Sequence, residues 1–469
     1  EGDNNVAMGY NVLTANTTGA NNVAMGFSAL SANTVGNNNV ALGHSAMLNT
    51  TGDAAAAVDG SDNVAIGSSA LYSMTEGYKN IAMGTNALKD GTTAGQNIAI
   101  GYQSMENATY PWSNVAIGYE ALKGATTDTD MTGGTNVAIG FQPLYKNTSG
   151  YSNISIGTSN LYENTSGGNN IAFGQNNFYT NTTGGNNVGI GSSNLYANTT
   201  GSSNIAIGLS SLNANTLGGN NIAIGSNALL YQLEPNNNIG IGVDAGRYNV
   251  TGTNNVSMGY YAGRGNYTTT NNDGNTAIGS YSLSSNRTGD NNTAVGKSAG
   301  DALVSGDNNT IIGYGADAAS NSTSNSVTLG NSSITSLRCA DQTISSLSDA
   351  RDKTNIEDLP IGLGFINTLR PRKFEWNTRD GAKVGITEGG FIAQELQQAE
   401  EGNEWLGLVY EENPEKLEAS YGNLLPVLVK AVQELSEELE TQKKEIAKLR
   451  MENKKMSMAR PASTGLGDE

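Results

Sequence analysis

From Asn4 to Gly330 the chain repeats one short motif, Asn-Asn-(Val/Ile)-Ala-(Ile/Met)-Gly, nineteen times with variations. Its closing glycines begin at Gly9, Gly26 and Gly43 and end at Gly330; fifteen of the eighteen intervals are 17 residues, the others 24, 22 and 20. A 17-residue unit holds no helix pair. Its β-branched pattern, bounded by Gly and by Asn-Thr-Thr-Gly, predicts one or two short strands per coil and hence a β-solenoid. Such a stack buries its interior coil against coil, which excludes a single-core enzyme. At strand spacing, nineteen coils make a rod on the order of 90 Å long.

Strand geometry sends Val115 and Ile117 one way and Ala116 the other. We assign the large residues to the coil interior. The small column holds Ala, Gly or Ser from Ala7 to Ala294, with Ile311 and Thr328 as the last two members; we assign it to a face approached by a neighbouring chain. The second apolar pair, as in Ala121-Leu122 or Ala228-Leu229, closes the other wall. Asn-Thr-Thr-Gly, at Asn16 to Gly19, Asn181 to Gly184 and Asn198 to Gly201, supplies a corner, with Asn and Gly expected to take left-handed backbone. The longer intervals, at 49–62, 123–135 and 263–275, should emerge as surface loops carrying Asp53 and Asp59, Asp128 and Asp130, and Tyr267. Tyr145, Tyr162, Tyr179 and Tyr196 recur at the period and should form a ladder, with Tyr110 and Trp112 in a nearby turn. These six aromatics are candidate glycan contacts, and self-packing of the ladder is the competing expectation.

Composition changes near Leu347. Residues 1–347 hold 20 acidic and 9 basic residues, whereas 348–469 hold 23 and 16 in a third of the length. A net charge of −18 argues against nucleic-acid or anionic-membrane partners, and no 18-residue apolar run is present to span a bilayer. With one cysteine, Cys339, and one histidine, His44, neither an intrachain disulfide nor a Cys/His zinc cluster can form. No metal and no cofactor is expected. His44 follows its motif glycine where other copies have Tyr, Phe, Ser or Thr, and reads as a solvent-facing repeat residue. The many Asn-x-Thr/Ser sequons belong to the repeat turn, and Asn stands where the calcium-binding nonapeptide needs Asp.

The repeat resembles the heads of trimeric autotransporter adhesins, over residues 4–330. That resemblance implies a left-handed parallel β-roll in which three chains pack together. An adhesin of that family would end in a membrane-anchor β-barrel segment, whereas this chain ends in charged helix. Ser348-Asp349-Ala350-Arg351-Asp352-Lys353, Ile356, Leu369-Arg370-Pro371, Phe374, Trp376, Gly390-Phe391-Ile392-Ala393-Gln394-Glu395 and Tyr421 follow in order. Over 348–449 they resemble the endosialidase-type intramolecular chaperone of phage tail spikes and fibres. The resemblance implies a trimer-assembling domain that cleaves itself off between Leu347 and Ser348, with Ser348 as nucleophile and Lys353 as base. The chemistry is sensible, because a buried lysine loses its charge and can deprotonate a serine. Asp349 and Arg351 would orient the pair or hold the loop. A polar loop in which Ser348-Asp349 caps a turn is the alternative.

Leu425, Leu428, Val432, Leu435, Leu439, Gln442, Ile446, Leu449, Asn453 and Met456 alternate by three and four, a heptad seam that needs partner helices. The expected organisation is therefore a β-solenoid shaft at 1–330, a linker at 331–347, a chaperone core at 348–423, a coiled-coil helix at 424–458 and a disordered tail at 459–469. The expected role is a homotrimeric tail fibre or spike in a virion tail, binding a host surface glycan or protein receptor. The chain opens in mid-repeat, so other tail proteins are expected to attach through an upstream region. A cell-surface trimeric adhesin is the alternative, and a glycan depolymerase with an inter-chain carboxylate pair is the third class.

Overall fold

The computed structural model describes residues 2–51, 60–125, 131–265, 271–338, 348–378 and 383–458. It forms two units, Glu1–Asn331 and Ser332–Glu469. In the first, nineteen strands run from β1 (Val6–Met8) to β19 (Val327–Leu329), each pairing in parallel with the next. The register is motif on motif: Ile154 faces Ile171, and Ile171 faces Val188. The longer intervals leave this ladder intact, since Val40 still meets Val64, Val115 meets Val137 and Val256 meets Thr276. The array is a parallel β-solenoid, as its period predicts. Asp53, Asp59, Asp128, Asp130 and Tyr267 lie outside the described residues.

The inside and outside of the strands are the reverse of our expectation. The small central residue points inward: Ala24, Ala65, Ala116 and Ala223 are fully buried. The flanking Val, Ile and Met face outward, with Ile81, Ile190 and Ile312 at 37, 40 and 42 % exposure. The coil is narrow, and its opposite wall already contributes a large side chain, Leu30, Leu122, Leu161 or Leu195, each fully buried. What approaches the small column is thus the chain's own far wall. Exchanges of size confirm the fit. Where Phe178 replaces leucine, the next strand has Gly189, and a Cβ there would sit 2.6 Å from the ring. Where the leucine gives way to Gly300, Ile311 takes the small position and fills the space. A buried Leu or Phe contributes about 1.5–3 kcal/mol, so such matching is worth preserving.

Buried amides complete each coil. Asn153, Asn170, Asn187 and Asn204 are fully buried just ahead of their strands. Each Oδ1 accepts the backbone N–H of the Asn in the next coil, at 2.9–3.0 Å. Each Nδ2 donates to the corner glycine carbonyl, as Asn170 does to Gly184 at 2.9 Å. The ladder satisfies backbone groups that a 17-residue coil cannot pair through strands alone.

The corners also differ from expectation. Asn181 and Gly184 are absent from the left-handed positions. Asn181 instead closes the turn through its amide, donating to the Gly184 carbonyl at 3.0 Å. Gly184 is small because a Cβ would lie 2.4 Å from the Gly201 carbonyl oxygen. Left-handed backbone occurs at the motif glycine and at residues such as Asn169, Ser159 and Leu161. Gly157 has φ +128°, and a Cβ would meet the Gly174 oxygen at 1.9 Å. Both the conformation and the contact demand glycine there.

In the second unit, α1 (Leu363–Ile366), α2 (Ala393–Ala399) and two short antiparallel pairs surround the start of a 35-residue helix, α3 (Leu424–Met458). Phe365, Leu396, Leu406, Leu408, Leu424 and Val427 form its core. Glu434 of α3 accepts the Leu363 N–H at 2.7 Å and so caps α1.

Candidate functional site

Asp349 organises the segment at the head of the second unit. It caps a single 3-10 turn, Ala350–Asp352, accepting the Arg351 backbone N–H at 2.9 Å and the Arg351 Nε at 3.0 Å. The Arg351 guanidinium, aided by that backbone N–H, holds the Asp349 carboxyl below its ordinary range. The turn reverses the chain and brings Lys353 back over Ser348, where Nζ donates to Oγ at 2.6 Å. Ser348 and Lys353 are therefore in contact, and Asp349 and Arg351 hold the loop beside them. The segment is a capped turn that also sets Lys353 Nζ against Ser348 Oγ. Ser348 and Lys353 are exposed in the single chain. Leu347 lies outside the described residues.

The downstream motif residues act as clamps. Arg372 reaches Glu395 through Nε at 2.9 Å and Nη2 at 2.5 Å, and Arg370 adds a contact at 3.4 Å. The Arg372 guanidinium pulls the Glu395 carboxyl below its ordinary range. Tyr421 Oη accepts the Phe391 N–H and donates to the Phe391 carbonyl, each at 3.2 Å. Gly390 leaves room for that hydroxyl, which a Cβ would approach to 3.0 Å. These pairs fix the sheet to α2 and to the approach of α3.

The long helix has two apolar faces. Leu424, Val427 and Ala431 are buried within their own unit. Leu425, Leu428, Val432, Leu435, Leu439, Ile446, Leu449 and Met456 are all exposed. The heptad seam is thus an apolar stripe, interrupted by Gln442 and Asn453, that no described residue of the single chain covers.

Among the shaft aromatics, Tyr145, Tyr162, Tyr179 and Tyr196 stack at centroid spacings of 4.8, 5.0 and 5.2 Å. The ladder forms, and both faces of Tyr162 and Tyr179 are occupied by neighbouring rings. Trp112 and Tyr110 are partly exposed; the Trp112 indole packs edge-on to Tyr78 and over Gly95, where a Cβ would collide with it. His44 is exposed and stacks on Phe27, extending a column from Tyr10. No cluster of potential metal ligands occurs among the described residues, and none of their helices is long and apolar enough to cross a membrane.

Residues 348–404 match the family described as chaperone of endosialidase. The match opens at Ser348 and ends short of the 348–449 span over which the motifs suggest the resemblance. No curated protein and no solved structure matches the chain. The chain joins a chaperone-of-endosialidase domain to a long parallel β-solenoid.

Proposed function

We propose that this chain is the shaft and adhesion region of a phage tail fibre or spike, assembled as a homotrimer by a C-terminal chaperone that then releases itself. The observation that carries the reading is the 2.6 Å contact between Lys353 Nζ and Ser348 Oγ at the first residue of the chaperone match. In the proposed reaction Lys353, once neutral, takes the Ser348 hydroxyl proton and Oγ attacks the Leu347 carbonyl carbon. The Leu347–Ser348 amide bond breaks, its nitrogen receives the proton, and an ester joins Leu347 to Ser348 Oγ. Water then hydrolyses the ester, leaving a Leu347 carboxylate and a free Ser348 amine and hydroxyl.

A lysine becomes a base when desolvation strips its charge. Both partners are exposed here, so packing by partner chains is what would supply that desolvation, and cleavage would follow assembly. Two uncovered apolar surfaces support a trimer. One is the α3 seam. The other is the outward Val, Ile and Met face of the shaft, which includes Val6, Met25, Ile81 and Met83 and is flanked by the exposed ring column Tyr10, Phe27 and Tyr102.

The test is expression of the chain and its Ser348→Ala variant, followed by intact mass and sedimentation. The wild type should give fragments 1–347 and 348–469, and the variant should remain whole and trimeric. An uncleaved wild type would remove Ser348 from catalysis, and monomers in both would overturn the fibre reading.

A further inference from the structure

The Tyr ladder is replaced, further along the same column, by arginine. Tyr145, Tyr162, Tyr179 and Tyr196 follow their buried Leu or Phe; Arg247 and Arg264 follow Gly246 and Gly263 in two consecutive Ala-Gly-Arg coils. These glycines are left-handed, at φ +60° and +52°, as the leucines are elsewhere, but they leave the coil wall small. The apolar core breaks here, with one cluster ending at Leu229 and the next starting at Ala262. Tyr248 is buried at 4 % exposure, with the Arg247 and Arg264 guanidinium carbons 5.2 and 5.5 Å from its ring centre.

The two arginines differ in what neutralises them. Arg247 Nη1 donates to Asp244 Oδ2 at 2.9 Å. Arg264 has no carboxylate within ion-pair distance among the described residues, and the adjoining stretch 266–270 contains no acid. The nearby Asp273 is engaged with Thr253, accepting from N at 2.6 Å and from Oγ1 at 3.1 Å. The Arg264 guanidinium carbon lies over the Tyr261 ring, 4.4 Å from its centre, and its Nε is buried without an acceptor among the described residues. Tyr261 in turn stacks on Tyr281 at 5.3 Å. Arg264, Tyr248, Tyr261, Tyr281, Ser284 and Ser285 line a cavity of about 240 Å³. This is below the roughly 300–1,000 Å³ of pockets for drug-sized ligands, so it suits one ring.

We propose that this cavity binds a single saccharide unit bearing a carboxylate. The exposed Tyr281 ring offers an apolar surface to a sugar ring, and the two serines offer hydroxyl partners. An uncompensated guanidinium held on an aromatic face is the group best shaped to take a carboxylate through paired hydrogen bonds. In a shaft with more than twice as many acidic as basic residues, it is a local positive site. The biological meaning of the ligand as a host receptor rests on the adhesive reading above, but its binding does not.

The test is calorimetric titration of the full chain with the methyl glycosides of glucuronate, galacturonate and N-acetylneuraminate, each beside a carboxyl-reduced counterpart. At least one acid should bind about tenfold or more tighter than its neutral counterpart, the factor expected for one charge-assisted contact. Arg264→Gln should abolish that difference, Arg264→Lys should retain part of it, and Arg287→Gln, outside the cavity lining, should leave it unchanged. An unchanged circular dichroism spectrum and melting point exclude misfolding. The proposal is overturned if none of the six binds, if acids and neutral counterparts bind alike, or if Arg264→Gln retains the preference. A chain that trimerises and cleaves but shows no such preference would lose this site and keep the fibre reading; one that binds without assembling would do the reverse.

Discussion

Replacing Asn170 by alanine tests what holds the coils together. Asn170 Nδ2 donates to Asn153 Oδ1 and to the Gly184 carbonyl, at 3.1 and 2.9 Å. Its Oδ1 accepts the Asn187 backbone N–H and Nδ2, at 3.0 and 3.1 Å. Most of these partners have a second bond: Gly184 keeps Asn181, and Asn187 Nδ2 keeps Gly201. The Asn187 backbone N–H does not, and it would be orphaned in a buried site. Orphaning one such group costs about 1–3 kcal/mol, and the void left by the amide raises the total to about 2–4 kcal/mol. Because each coil contacts only its neighbours, the loss should stay local. Hydrogen exchange read by mass spectrometry should show protection across 154–205 falling roughly 30- to 700-fold, and distant coils unchanged. The adjacent Asn169 is exposed with φ +59°, so Asn169→Ala meets only the left-handed backbone penalty of about 1 kcal/mol. Equal effects of the two substitutions would refute the buried ladder as the cohesive element. Asn170→Asp sharpens the test. Its carboxylate would face two acceptor oxygens, so its folded-state pKa rises above the unfolded value, and the defect should be largest at neutral pH and ease as pH falls.

Two further outcomes follow from the second unit. Glu395 has its folded pKa lowered by Arg372, so its contribution is present above the ordinary carboxylate range and is lost as pH falls through the depressed value; Glu395→Gln should flatten the acid limb of a Trp376 and Trp405 fluorescence melting profile against pH. Leu435 and Leu439 are 53 and 50 % exposed on the α3 seam, so Leu435→Lys with Leu439→Lys should give monomers by sedimentation, with α1 still capped by Glu434 and the domain core folded. Trimers in that double variant would rule out the seam as an assembly surface.

The period of the glycines determined the number of coils, their parallel stacking and the survival of register across the three longer intervals. Those properties follow from local backbone chemistry, because Gly157 and its equivalents permit a conformation that no other residue holds comfortably. The heptad spacing of Leu425 to Met456 likewise determined a helix with an unmatched stripe. Which strand face lies inside was decided by tertiary structure. Alternation divides Val115 and Ile117 from Ala116 but is silent on direction, and only the width of the closed coil, already occupied by Leu122, excludes the larger pair. The buried role of Asn170 was hidden for the same reason, since an asparagine beside a turn has the same composition whether its amide meets water or the next coil. At Ser348 and Lys353 the motif supplied the residues, and the capped turn at Asp349 supplied the contact. The Arg264 cavity was written in the column that changes from Tyr to Arg, but the change acquires meaning only when stacking places Tyr248 and Tyr261, from separate coils, against one guanidinium. Residues 17 or more apart become neighbours through the winding of the chain, and their shared electrostatics exists only after that winding.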